Sequence, residues 1–388
     1  LVFLSALLSM GQETEFLRGK VFDQKTGEPV VFATVRIIGK AKGVITNMDG
    51  SFRLPSTYRE ANESIGISSM GYEKKELELQ KLSPEHINII RLNPGVLTLS
   101  EAIVTARKRR ALSARGIVRR AIENIPRNYP TNNFTSKGYY RDYQKDSLGY
   151  VNLNEALLQI YDYGFDEIDT AKTKARIYDY VQNQTFRRDT LADDPYDYSN
   201  WHKTISNAFL SSYNGNEFQI LRVHDAIRNY KLNSFDFINN ISEKDILKNH
   251  SFKKMKDTYL DGEGLYTIQI KKAHPNYNAR GIIYIAKRDF AIHKLVYSVY
   301  DDRNRNNNET LAAQGIKGKL IFEVSIEYNR GLTDKMYLNY ISFHNTFRLA
   351  KPPKFKVEYL MVLAEESAFL LQFNNKLAPI ESSTSNYW

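Results

Sequence analysis

The chain contains no cysteine, and that single absence excludes disulfides, thiol nucleophiles, thiolate zinc sites and iron–sulfur clusters. Histidine is scarce. The seven stand at His86, His202, His224, His250, His274, His293 and His344, none in a His-Glu-x-x-His or His-x-x-Glu arrangement and no two four residues apart. A peptidase-type zinc site, which needs two histidines, an acid and a separate general base, therefore has no local motif. There is no Gly-x-Ser-x-Gly elbow for a serine nucleophile. Gly262-Glu263-Gly264 is a fragment rather than a phosphate-cradling loop. A calcium loop over 45–56 fails because Ile45 stands where the first ligand belongs and Ser56 where the bidentate glutamate belongs. No stretch approaches the 18 or so consecutive apolar residues of a membrane-crossing helix. No catalytic residue, metal or cofactor is expected from these patterns.

What the chain has is aromatic and basic. Its 388 residues include 26 Tyr and 20 Phe, with 20 Gly and 11 Pro, a composition suited to strands and turns. Lys+Arg 54 against Asp+Glu 44 leaves a formal charge of +10. The densest basic run is Arg107-Lys108-Arg109-Arg110, followed by Arg115, Arg119 and Arg120. Such a run is either a hydrated linker or an electrostatic contact with an acidic protein or anionic lipid, and Arg107, Arg109 and Arg110 are the residues to probe. Nucleic acid is not expected, since no nucleic-acid fold signature accompanies the run. Tyr139, Tyr140, Tyr143, Tyr150, Tyr161 and Tyr163 cluster in one span. Period-two spacing puts Tyr161 and Tyr163 on one strand face, either as packing or as a groove for an acyl chain, a sugar or an extended polypeptide.

Leu1–Leu8 is a short apolar run followed by Ser9-Met10-Gly11, the hydrophobic core and small-residue cleavage region of a secretory signal. Residues 1–11 are read as that signal's remnant, with cleavage before Gln12. Gln12 is not the cysteine of a bacterial lipoprotein. The expected location is therefore the periplasm or the outer-membrane surface.

Residues 12–97 show seven short strand patterns separated by turn chemistry, which predicts a seven-stranded β-sandwich. Asp49-Gly50 marks a tight hairpin, Phe52 and Leu54 alternate into a core, and Gly71 permits a bend before Tyr72. The order Gly19-Lys20-Val21-Phe22, Gly27-Glu28-Pro29-Val30-Val31-Phe32-Ala33-Thr34-Val35, Gly43 to Pro55 and Ser69-Met70-Gly71-Tyr72 resembles the carboxypeptidase-regulatory-like domain. This prealbumin-like sandwich is carried by many exported and outer-membrane proteins of the Bacteroidota. The resemblance implies an accessory module, not the metal-bearing part of a peptidase. Leu99–Ala106 resembles the strand that follows such domains in TonB-dependent transporters.

Residues 98–127 read as a basic linker running into a helix that presents Leu112, Gly116, Ile117, Ala121 and Ile125 on one face, limited by Pro126 and Pro130, and docks on the following sheet. Ile117–Ile125 with Tyr139–Tyr143 is similar to the start of an uncharacterised envelope family that carries the same sandwich in front. Residues 128–388 read as a larger antiparallel-sheet α+β domain. Aromatic strands occupy 134–163, a polar insertion spans about 165–250 with helical pieces near Ile205–Ser212 and Phe218–Asn229, and strands return beyond Phe252. Gly281–Leu295 is a hairpin turning at Lys287-Arg288-Asp289. It resembles hairpins in the curved sheets of periplasmic lipoprotein-carrier-like proteins, which implies an open half-barrel.

The whole is mainly β with some α. Three functions follow. The first is a non-enzymatic adaptor or scaffold of an outer-membrane transport or assembly complex, partnered by an outer-membrane protein or export complex. The second is a lipid or lipoprotein carrier with a concave aromatic groove. The third is a hydrolase, such as a peptidase, bearing an accessory sandwich.

Overall fold

The computed structural model describes residues 16–40, 43–47, 49–95, 112–146, 148–168, 174–182, 187, 225–233, 246–273, 277–301, 319–331, 333–349 and 361–370. Two compact units divide between Val96 and Leu97.

The first unit holds β1 (Phe16–Asp23), β2 (Thr34–Ile37), β3 (Gly43–Ile45), β4 (Ser51–Pro55), a helical turn α1 (Thr57–Glu60), β5 (Ser64–Ser68), β6 (Lys75–Glu78) and β7 (Asn88–Leu92). They form two sheets, β4-β1-β7 and β3-β2-β5-β6, which is the seven-stranded sandwich the turn spacing predicted. Leu17, Val21, Phe52, Leu54, Ile90 and Leu92 from one sheet share a core with Val35, Ile37, Ile65 and Ile67 from the other. Gly50 turns the chain between β3 and β4 at φ 74, with the Val21 carbonyl packed where a side chain would stand. The two strands belong to different sheets, so Asp49-Gly50 is a tight crossing between the layers and not the expected hairpin. The β-branched run Val30–Ile38 does not form one strand. Phe32 takes φ 56, and the Thr46 hydroxyl donates to the Val30 carbonyl (2.6 Å) while accepting from the Ala33 amide (2.8 Å), so regular pairing begins only at Thr34.

The second unit opens with α2 (Ala114–Glu123), capped by the Ser113 hydroxyl accepting from the Gly116 amide at 3.1 Å. A short α3 (Ile125–Asn128) follows. Pro126 therefore begins a second helix rather than ending the first, which suits a residue with no amide to donate. Next come β8 (Phe134–Asp146), β9 (Gly149–Asp162), β10 (Lys174–Gln182), α4 (Tyr230–Asn233), α5 (Ile246–Asn249), β11 (Ser251–Lys254), β12 (Thr258–Leu260), β13 (Glu263–Ala273), β14 (Tyr277–Ala286), β15 (Ile292–Asp301), β16 (Lys319–Arg330), β17 (Met336–Leu349) and β18 (Met361–Leu370). They make one antiparallel sheet in the order β10-β9-β8-β18-β17-β16-β15-β14-β13-β11, with β12 also on β13. The path is open, and β10 and β11 are its ends among the described residues.

Period-two alternation decides which face of this sheet is apolar. Ile268, Ile283, Leu295, Ile326 and Ile341 lie in register across five strands, and Ile270, Gly281, Tyr297, Val324 and Phe343 form the next row. Both rows are buried. Gly281 makes room for the Tyr297 ring, which lies where a β-carbon would be. The buried Ile117, Val118 and Ala121 of α2 form its inward stripe, and the helix packs beside β11, β14 and α5, so it docks on the following sheet as expected. Within the polar stretch 165–250, β10 is a strand the composition did not reveal. Of the helical piece expected at Phe218–Asn229, residues 226–229 form turns ahead of α4 rather than a helix and 218–224 lie outside the described residues, as do Ile205–Ser212 and Leu99–Ala106.

Candidate interaction surface

The sandwich has one sheet face that its own core does not use. Along β1, Leu17, Val21 and Asp23 turn inward while Phe16, Arg18, Lys20 and Phe22 turn outward. On β4, Phe52 and Leu54 are buried and Arg53 is exposed; on β7, Ile90 and Leu92 are buried while Ile89 and Arg91 are exposed. Phe16 is 44% exposed, Ile89 54%, and Ile87, two residues ahead of it, 49%. These are three of the seven exposed large hydrophobic side chains among the described residues. Gathered on one small sheet, they form a patch rather than the scattered apolar surface every protein has. Register places the charges among them. Arg18 faces Arg53 across β1 and β4, and Lys20 lies beside Ile89 and Phe22 beside Arg91 across β1 and β7. Lys20 is paired with Asp49 at 2.9 Å. Ser51 and Lys20 hold the Asp49 carboxyl down to about 2.

Behind this face the sandwich is locked by Asp23. One of its oxygens accepts from the Lys25 and Thr26 amides (2.6 and 2.9 Å), and the other accepts the Tyr72 hydroxyl at 2.9 Å. Burial and the Asp23 charge push the Tyr72 hydroxyl up to about 12. Gly71, at φ 85, supplies the bend that delivers Tyr72.

Among the described residues of the second unit, three clusters of ionisable side chains join distant parts of the chain. In the first, Arg228 clasps Asp162: Nε lies 3.2 and 3.0 Å from the two carboxylate oxygens and Nη2 2.7 Å from Oδ1. Its Nη1 donates to the Glu167 carbonyl at 2.9 Å, and its guanidinium sits 5.2 Å from the Phe165 ring centre. Burial opposes the Arg228 charge, but Asp162 outweighs it and raises the pKa. Asp225 caps the turn by accepting from the Ile227 and Arg228 amides, and the Tyr328 hydroxyl donates to its second oxygen at 2.5 Å. Tyr129 and Phe165 pack beside this network with their rings tilted and their centres 4.8 Å apart.

The second cluster crosses the polar sheet face, where Tyr284, Lys294, Glu327 and Tyr340 lie in register on β14 to β17. Lys294 Nζ is 3.4 Å from Glu327, whose other oxygen accepts from Asn339 at 3.0 Å. Burial disfavours the Lys294 ammonium, yet Tyr340 and Glu327 beside it hold it above the ordinary lysine range. The third cluster ties the hairpin ends. Glu263 receives His293 Nε2 at 3.0 Å and Arg330 Nη2 at 3.3 Å, Arg330 also reaches Asp289 at 2.7 Å, and Arg288 reaches Asp334 at 3.0 Å. Burial would raise the Glu263 carboxyl, but His293 and Arg330 hold it down to about 2.

A general acid or base works best with a pKa near the operating pH. Glu263 and Lys294 are displaced in the opposite sense, toward permanent charge, which suits them to bracing strands.

Of the residues singled out from sequence, Arg107, Arg109 and Arg110 lie outside the described residues. Tyr161 is buried on β9 between Thr135 of β8 and Lys174 of β10, and Tyr163 is half-buried one residue past the strand end. Tyr140 and Tyr143 are likewise buried. The exposed residues of the sandwich face were not singled out. The signal for them was present: Ile87-Asn88-Ile89-Ile90 is apolar at both parities, so one of its two faces had to be left outside the core.

Residues 17–104 match the family described as CarboxypepD_reg-like domain. Among curated proteins, none matches the chain. Among solved structures, a LolA superfamily protein from Nitrosomonas europaea is similar to this chain at 10% identity and a TM-score of 0.25, over 70% of this chain and 96% of that one. The N-terminal sandwich, its motifs running from Gly19 to Tyr72, thus carries a carboxypeptidase-regulatory-like domain.

Proposed function

We propose that this protein is an exported, non-enzymatic adaptor of an outer-membrane transport or assembly complex. In this reading the sandwich makes the contact and the large sheet is the frame. The observation that carries it is the sandwich face on which Phe16, Ile87 and Ile89 stand half-exposed among arginines. Arginine and large apolar residues concentrated in one patch are the composition of a contact surface. The frame reading is supported by the ion pairs Arg228–Asp162, Lys294–Glu327 and Arg330–Glu263, in which charges of the second unit are spent on one another. It is supported also by the apolar rows of β13 to β17, which are buried within the protein rather than left open as a lipid groove. Export is supported by the apolar Leu1–Leu8 segment followed by small residues.

Affinity capture of the full chain from detergent-solubilised envelopes tests the proposal. A stoichiometric envelope partner is the expected result. Recovery of free monomer, or of the protein in the cytosolic fraction, overturns it.

A further inference from the structure

We infer that the sandwich face takes a carboxylate-bearing polypeptide surface, docked flat against β4, β1 and β7. The inference rests on the adaptor reading and adds the chemistry of the partner.

Arg18 and Arg53 stand directly opposite each other on an antiparallel pair, an arrangement that is destabilising when nothing lies between the charges. Among the described residues no carboxylate bridges them. Arg18 Nη2 donates to the Glu85 carbonyl at 2.9 Å, a backbone oxygen that carries no net charge. The nearby Asp49 is occupied by Lys20. Among the described residues no carboxylate pairs with Arg18, Arg53 or Arg91. In the second unit Arg228, Arg288 and Arg330 each meet at least one carboxylate, while Arg115 is spent on the Leu247 and His250 carbonyls and the Phe252 ring and Arg120 lies over the Phe290 ring. Among the described residues the sandwich face therefore presents three guanidiniums without a carboxylate partner, each a planar fork matched to a carboxylate, with apolar side chains set between them. A partner with carboxylates and apolar groups at strand spacing, roughly 5 Å across and 7 Å along, meets every element of this pattern.

Docking on the face is favoured over strand addition at the β7 edge. Lys75 Nζ donates to the Arg91 carbonyl at 3.1 Å and the Glu73 amide to the Asn93 carbonyl at 2.9 Å, so that edge is partly closed. A protein partner is favoured over a bilayer. Phe16, Ile87 and Ile89 belong to strands or their flanks and stand beside arginines of equal or greater reach, whereas membrane insertion needs apolar groups roughly 5–10 Å beyond the charged layer. Three strands of about five residues give a face of roughly 240 Å², below the roughly 800 Å² that one partner contributes to a standard interface. The contact is accordingly weak and reversible.

The test uses the full chain and a fluorescent ten-residue peptide alternating Glu and Val, its Gln-for-Glu counterpart, and phosphatidylglycerol vesicles. The acidic peptide is expected to bind in a salt-sensitive way. Arg53→Gln should weaken it roughly fivefold, and Arg18→Gln/Arg53→Gln further. Ile89→Ser should also weaken it. Arg36→Gln, exposed on the other sheet, should leave it unchanged. Equal binding of the Gln peptide, indifference to Arg53→Gln, or arginine-dependent binding of vesicles in place of the peptide overturns the inference. If envelope capture returns a partner that the double variant retains undiminished, this inference fails and the adaptor reading stands. If capture returns no partner while the peptide binds as expected, the adaptor reading fails and the chemistry of the face stands.

Discussion

Arg228→Met is the most informative single change to the frame. The Arg228 and Asp162 side chains are only 4% and 8% exposed, so neither charge has water to fall back on. The substitution keeps an apolar stem against Phe165 but removes all three Arg228 contacts to Asp162 and the bond to the Glu167 carbonyl. Asp162 would keep the Gly164 amide, at 2.8 Å, but lose the guanidinium that balances its charge. Stranding a buried charge in this way costs about 3–5 kcal/mol. Total stability of a domain is about 5–15 kcal/mol, so the loss is a large fraction of it. With a slope of about 3 kcal/mol per molar urea, the second unit's unfolding midpoint should fall by about 1 M or more. Near-UV tyrosine dichroism follows that transition, because Tyr129 and Tyr328 surround the pair. Asp162→Asn in the Arg228→Met background should then recover much of the loss, since asparagine removes the stranded charge and still accepts from the Gly164 amide. An Arg228→Met midpoint within experimental error of the parent would refute the assignment of this pair as a main brace. A double variant no more stable than Arg228→Met would refute the charge argument.

Glu263 gives a pH signature. Its folded-state value of about 2 lies below the ordinary 4.5, so its stabilisation is fully present above about pH 4.5 and disappears as pH falls toward 2. The window corresponds to at most about 3 kcal/mol, and Glu263→Gln should flatten the stability profile there; an unchanged slope would place the effect elsewhere. Gly281→Val would set a side chain within 2.6 Å of the Val296 carbonyl and 2.9 Å of the Tyr297 ring, so a loss of about 1–3 kcal/mol and a lowered Tm are expected, and an unchanged Tm would contradict the packing. Ser113→Ala removes the α2 cap and should cost about 1 kcal/mol, read as faster hydrogen exchange at residues 114–117.

The sandwich was legible because its turns carry their own chemistry. Asp49-Gly50 and Gly71 need positive backbone angles or special turns, and the segments between them alternate cleanly. The Gly281–Leu295 hairpin was legible for the same reason, with its Lys287–Asp289 turn where the sequence placed it. β10 was not. Its register slips between Ile177 and Asp179, so a bulge breaks the two-residue period within a nine-residue strand. The clusters were not legible either. Asp162 and Arg228 are 66 residues apart, and Arg330 and Glu263 are 67. No local pattern marks a pair that only the sheet order brings together. Tyr161 illustrates the opposite error, since its placement on a strand face was readable but the burial of that face depends on which strands flank it.

The distribution of paired and unpaired charge bears on function more than the net +10 does. A charge already matched by a buried neighbour has spent its interaction on the fold, and its removal is felt in stability. Arg228, Arg330 and Lys294 are of this kind. A charge left facing water beside apolar side chains contributes little to the fold and remains free to act on another molecule. Arg18, Arg53 and Arg91 are of that second kind among the described residues. Substitutions in the two groups should therefore separate cleanly. The first should lower the unfolding midpoint, and the second should weaken partner binding with little effect on that midpoint. Overlap of the two effects at Arg53 would show that the sandwich face belongs to the fold's own stabilisation rather than to a contact.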